Sequence, residues 1–367
     1  MTGRQPDLDP TARAPVPDGA GGLSAPSASK KPAQRLRWWI HRLTLLVATG
    51  LLCWIAFEWV GGLVLQHHFA RKYSLTVDHR LVPYSRPDIN GDGIRCHFEA
   101  DDFDSASTNI VFLGDSFTYG AHLDDESQAF PAGVARILDP DGQRIRSINF
   151  GWPSSSPLLS MRLLADIGHK YKPDMVVMSL DLTDFYDEHK YIRMIRFPRL
   201  SPTAFLLREA GLSWLIADWV GWSELRGDHH ELPFPNTFYI VRQPLAESRP
   251  YLHEIETNLR RIEDHTRGVL EAKFVLVLLP RAFQYTDAEA PHDPHRNLYP
   301  PLGPYVLEPN RWFDEFCAET GFTCFSLLDD FRNSPVFPTC FENDPHWNVA
   351  GHQVAAEALA EDLRDLF

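Results

Sequence analysis

The chain has 367 residues and a formal net charge of −14. Residues 1–42 carry seven Lys/Arg and three Asp/Glu, a net of +4, which leaves −18 for residues 43–367. An acidic main body argues against nucleic acid, whose phosphates call for clustered basic residues, and the length suits one large α/β domain with appendages.

Residues 1–36 are rich in Pro, Ala, Gly, Ser and Asp, lack apolar periodicity, and read as a disordered cytoplasmic tail. Residues 37–66 read as a transmembrane helix with its flanks. Inside them, residues 43–65 are apolar apart from Glu58, long enough to cross about 30 Å of hydrocarbon. Trp38 and Trp39 suit the membrane interface, and the preceding basic residues put the N-terminus inside. For a cleaved signal peptide the basic stretch begins too late and the apolar run is too long. Residues 67–108 read as a polar connector.

From residue 109 apolar strands alternate with amphipathic helices. Strands are expected at 110–113, 145–150, 175–180, 274–279 and 323–327, and helices at 130–138, 158–169, 255–270 and 349–366. Such alternation implies a parallel sheet covered on both faces. An insertion over residues 187–250 holds Trp214, Trp219 and Trp222 at near-helical spacing. These aromatics either pack the insertion onto the domain or form a lid or acceptor platform.

Cys96, Cys317, Cys324 and Cys340 lie in the main body and allow two disulfides in three connectivities, or buried free thiols. Asp88 to Glu99 satisfies the EF-hand loop pattern. Its context does not: Pro83 and Pro87 stand where an entering helix is needed, and Arg95 takes a position that is usually apolar. A turn is the expected reading.

The stretch Asn109-Ile110-Val111-Phe112-Leu113-Gly114-Asp115-Ser116 runs an apolar strand into a turn that presents one serine at the strand's carboxyl end. Far downstream, Asp344-Pro345-His346 opens the last helix. Serine, histidine and aspartate make a nucleophile, a base and an orienting acid. His352 is expected to be structural, inside the helix. A metal set of His292, Asp293, His295, Asp344 and His346 lacks the His-x-x-x-His spacing of a helical site, so no metal or other cofactor is expected.

These blocks resemble the SGNH/GDSL hydrolase superfamily, over roughly residues 80–367. Gly114-Asp115-Ser116 is similar to its first block, Asn149-Phe150-Gly151 to the second, Asp181-Leu182-Thr183-Asp184 to the third and Asp344-Pro345-His346 to the last. The resemblance implies a flavodoxin-like three-layer α/β/α domain with a parallel sheet, preceded here by one transmembrane helix. It implies catalysis by Ser116, His346 and Asp344, with the oxyanion held by Ser116, Gly151 and Thr183. Two departures stand out. Thr183 replaces the usual third-block asparagine, and the acid lies two residues before the histidine rather than three. The Asp-x-His-Trp pattern is similar to that of alginate O-acetyltransferase-like members, in which the pair precedes the serine.

The resulting expectation is a serine esterase outside the cytoplasmic membrane, acting on an acylated small molecule or envelope carbohydrate. An O-acyltransferase of an envelope polysaccharide, with an envelope acyltransferase as partner, is one alternative. A catalytically weak glycan-binding or scaffold domain is another.

Overall fold

The computed structural model describes residues 32–72, 80–81, 83–104, 106–196, 202–203, 206, 237–294 and 296–367. The chain divides into two compact units, Met1–Ala56 and Phe57–Phe367, with the boundary inside the first helix. That helix, α1, runs Pro32–Lys72 and is longer at both ends than the expected span. Its stretch Gln34–Val64 reaches a mean hydropathy of 1.9 with none of that window buried. This is one helix long and apolar enough to cross a membrane.

The second unit is built on five strands: β1 Thr108–Leu113, β2 Ile145–Asn149, β3 Met175–Leu180, β4 Lys273–Leu278 and β5 Thr323–Ser326. They pair in the order β2-β1-β3-β4-β5, all parallel. This is the flavodoxin-like order, in which the chain leaves β1 first to one side and then to the other. Parallel pairing needs crossovers, and helices supply them. The helices are α2 Ser116–Tyr119, α3 Phe130–Leu138, α4 Pro157–Ile167, α5 Asp184–Arg196, α6 Leu245–Ser248, α7 His253–Gly268, α8 Glu308–Thr320, α9 Leu328–Asn333 and α10 Val349–Leu363. A two-stranded antiparallel ribbon, β6 Cys340–Phe341 and β7 Asp344–Trp347, leads into α10.

The period of two along each strand sorts the core into two layers. Val111 and Leu113 of β1, Val176 and Met178 of β3, and Leu276 and Leu278 of β4 join one layer with α4, α7 and α8. Ile110 and Phe112, Val177, and Val275 and Val277 join the other with α3, α9 and α10. Both faces being covered, the central strands β1, β3 and β4 are mainly apolar along their length, whereas the edge strands β2 and β5 carry polar residues. Each fully buried large apolar side chain contributes about 1.5–3 kcal/mol.

The expected connector differs from its reading. Ile94, Cys96 and Phe103 are buried in the first core layer. Backbone bridges join Ile89 to Arg95, and Arg95 to Asn149 at the end of β2. The second half of the connector is therefore part of the domain. Trp214, Trp219 and Trp222 lie outside the described residues. One disulfide forms, Cys317–Cys324, between α8 and β5, while Cys96 and Cys340 are buried free thiols.

Candidate active site

The residues at and after the ends of β1, β2, β3 and β4 meet at the carboxyl end of the sheet, Asn149 bonding the Thr118 carbonyl, Thr183 touching Asp115, and Arg281 gripping Asp181. Gly114 follows β1 where a side chain cannot fit: a Cβ there would lie 2.1 Å from Thr118 Oγ1 and 2.9 Å from the Ser179 carbonyl oxygen. Asp115 caps α2, its Oδ1 accepting the Phe117 N–H at 2.9 Å. This turn puts Ser116 at the N-terminus of a single helical turn. The Ser116 backbone N–H has no hydrogen-bond partner among the described residues.

The base arrives on β7. Trp347 anchors that strand, fully buried and stacked on Phe331 at 4.7 Å between ring centroids. Its neighbour His346 is then directed to the serine, with Nε2 2.7 Å from Ser116 Oγ. On the other side of the ring, His346 Nδ1 bonds Asp344 Oδ1, which also accepts the His346 N–H at 2.9 Å. This chain of bonds requires the tautomer with its proton on Nδ1, leaving Nε2 to accept from the serine. Partial burial opposes ionisation of Asp344, but its bonds to His346 and the nearby His122 outweigh that and hold it below the usual carboxylate range. Ser116, His346 and Asp344, separated by more than 200 residues of sequence, are thus brought together.

The other expected oxyanion donors are wired elsewhere. Gly151 packs against the turn, where a Cβ would lie 2.3 Å from Tyr119 N. Its N–H, however, donates to Asn149 Oδ1 at 2.9 Å. The Thr183 hydroxyl donates to Asp181 Oδ2 at 2.5 Å. A hydroxyl has a single proton, so in this arrangement Thr183 has none left for an oxyanion. Of the three expected donors, Ser116 alone keeps an uncommitted N–H.

Beneath the serine lies a charged cluster that the sequence reading did not foresee. Arg281, 4% exposed, follows β4 and grips the fully buried Asp181 through Nε at 2.7 Å and Nη2 at 2.5 Å. Its guanidinium also lies over the Phe117 ring at 4.7 Å. Burial opposes the Asp181 charge, yet Arg281 and Thr183 outweigh it and lower its pKa. Asp115 touches both Ser116 Oγ, at 3.3 Å, and Thr183 Oγ1, at 3.5 Å. Burial, with Asp181 beside it, raises Asp115 to about 8. Asp184, buried and near both, is pushed well above its ordinary value by burial and then by Asp115. Its Oδ2 accepts the Asp181 N–H at 2.8 Å, which organises the loop. The sequence signal for Arg281 was present: a charged residue just past the carboxyl end of an apolar strand.

Arg95 supports the site from the far side. Buried at 2% exposure, it donates through Nε to Asp88 at 2.8 Å, and through Nη1 and Nη2 to the carbonyls of Gly120 at 2.7 Å and Leu123 at 2.8 Å. It thereby holds the loop that follows the nucleophile. The EF-hand-like pattern is accordingly a turn, as expected. Asp88 is engaged by Arg86 and Arg95, Asp92 by Lys170, and Glu99 by the Gly91 N–H. His352 is buried in α10, where Nδ1 accepts the Phe130 N–H at 3.2 Å and burial lowers its pKa to about 3. Of the distant metal set, His292 instead faces Glu342 at 3.4 Å, Asp293 accepts from Tyr299, and His295 lies outside the described residues. A cavity of about 530 Å³ opens at the amino ends of β4 and β5, on the opposite edge of the sheet from Ser116.

No family model matches the chain, and no curated protein matches it. Among solved structures, TesA is 16% identical, over 71% of this chain and 100% of that one, with a TM-score of 0.42. A catalytic variant of an acetylxylan esterase from Geobacillus stearothermophilus is 17% identical, over 71% and 96%, at 0.40. The lipase/acylhydrolase from Enterococcus faecalis is 16% identical, over 71% and 96%, at 0.41.

Proposed function

We propose that this protein is a serine-dependent ester hydrolase of the SGNH/GDSL type, working outside the cytoplasmic membrane, with acylated carbohydrate as its substrate class. The observation that carries the reading is the chain of bonds Asp344–His346–Ser116, with 2.7 Å between base and nucleophile. In this reading His346 takes the Ser116 proton as Oγ attacks the ester carbonyl carbon. The Ser116 N–H receives the developing oxyanion. The acyl–oxygen bond then breaks, the alcohol leaves with the proton from His346, and water repeats the sequence to release the acid. An outer location draws support from α1, long and apolar enough to cross a membrane, and from the basic residues on its N-terminal flank. The Cys317–Cys324 disulfide suits an oxidising compartment.

A second reading, a catalytically weak glycan-binding domain, draws support from the committed Gly151 and Thr183 donors. Losing one oxyanion donor typically costs on the order of 10²–10³ in rate. The full-length protein in detergent, treated with a fluorophosphonate, separates the two. Labelling that disappears in Ser116→Ala and in His346→Ala, at unchanged melting temperature, supports the hydrolase. A folded wild type that takes no label favours the binding domain.

A further inference from the structure

A second imidazole faces the orienting acid, and the reaction above does not use it. His122 follows the Gly120 turn with φ at 68°, a left-handed conformation that a non-glycine residue adopts only at a cost. Arg95 pins the carbonyls on both sides of it, at Gly120 and Leu123. The imidazole is 57% exposed, and its Nε2 lies 3.4 Å from Asp344 Oδ2, the oxygen that His346 leaves free. Its ring stands edge-on to His346 at 5.5 Å between centroids and to Phe341 at 5.8 Å. Ligating atoms of His122, Asp344 and His346 all lie within 4.8 Å of one another.

We propose that His122, Asp344 and His346 form a site for a divalent transition-metal ion, and that filling it switches the serine off. Two imidazole nitrogens and one carboxylate oxygen suit Zn²⁺, Ni²⁺ or Cu²⁺. Mg²⁺ and Ca²⁺ take oxygen ligands and are excluded by the same donor set. With bonds of about 2.0–2.2 Å, one ion holds its ligands at most about 4.2 Å apart. The exposed His122 ring is free to rotate by the small amount that closes the difference. His346 offers the ion Nδ1, the nitrogen beside Asp344, in place of the proton that Asp344 now accepts. The proton of the neutral ring then sits on Nε2, which can no longer accept from Ser116. The ion and the tautomer that serves the serine exclude one another. The inhibitory half of the proposal rests on the serine-hydrolase reading, whereas metal binding does not.

The test uses full-length protein in detergent and Co²⁺, whose visible absorption reports nitrogen and oxygen ligation. Wild type should develop that absorption at micromolar Co²⁺ and lose it to Zn²⁺. His122→Ala should need at least about tenfold more Co²⁺, which separates this site from other imidazoles of the chain. In parallel, Zn²⁺ should block fluorophosphonate labelling of the wild type, with EDTA restoring it and Mg²⁺ having no effect. In His122→Ala the half-blocking Zn²⁺ concentration should rise about tenfold. Absent cobalt absorption in the wild type, or equal cobalt affinity in His122→Ala, overturns the site. Cobalt binding with labelling indifferent to Zn²⁺ overturns the competition. Cobalt binding in a metal-free protein that never labels overturns the serine reading and leaves the site standing.

Discussion

Two groups of charged side chains flank Ser116, and they balance their charge in different ways. Toward solvent, Asp344 is 35% exposed and His346 20%, and each ring nitrogen of His346 has a partner along the line to Ser116. Toward the interior, the carboxylates of Asp115, Asp181 and Asp184 share a single guanidinium, that of Arg281. Asp181 takes the cation, while burial raises Asp115 to about 8 and pushes Asp184 well above its ordinary value. The outer group is bonded partner to partner, whereas the inner group holds more carboxyl groups than Arg281 pairs. Buried carboxylates without enough cations reach neutrality by protonation, since burial penalises the charged form.

Breaking the outer line should have the largest effect. Asp344→Asn removes the acceptor that fixes the His346 tautomer, so ester turnover should fall by about 10⁴, read as kcat on an acetyl ester. Stability should change little, because this carboxylate is partly solvated. A variant that retains most of the wild-type rate would mean that Asp344 does not orient the base.

Breaking the inner group should act on stability. Arg281→Met leaves Asp181 buried without its cation, and unfolding by urea should show a loss of about 3–5 kcal/mol. Adding Asp181→Leu to the same chain should recover most of that loss, because an apolar pair of similar volume carries no desolvation penalty. A single variant as stable as the wild type would make the ion pair a bystander.

The smallest effect concerns pH. Asp115 holds its proton to about pH 8 when folded, and releases it near pH 4 in an unfolded chain. Between those values the folded state binds the extra proton. The stability contributed by this group is therefore complete below pH 4 and is lost as pH rises through 8. Asp115→Asn, neutral at every pH, should narrow the difference between urea midpoints measured at pH 5 and pH 9. An unchanged difference would place the titration on another group.

Much of this arrangement could be read from the chain. The central strands are mainly apolar runs that give way to Gly114, Asp181 and Pro280, and α3 spans Phe130–Leu138 as its periodicity indicates. Ser116, Asp344 and His346 stand out in the chain because each sits in a short block whose local geometry is set by near neighbours, and the structure bonds the three together. The wiring of Gly151 and Thr183 was not legible. It depends on which way Asn149 and Asp181 turn, a matter of side-chain rotation rather than residue type. The segment around Arg95 was misread for a different reason. Its polar residues suggested solvent, yet Asp88, Asn90 and Arg95 are buried, their polar groups bonded to one another and to the core. Hydropathy counts such residues as exposed because it cannot see their partners.

The strut formed by Arg95 also sets where the folded unit begins. Cutting the chain ahead of Arg86 would leave the Asp88–Arg95–Gly120 connection whole. Separation after Phe103 would strip one core layer of Ile94, Cys96 and Phe103 and release the loop that carries His122. A shortened form that keeps its fold must therefore retain the turn around Arg95, although Ser116, Asp344 and His346 all lie downstream of it.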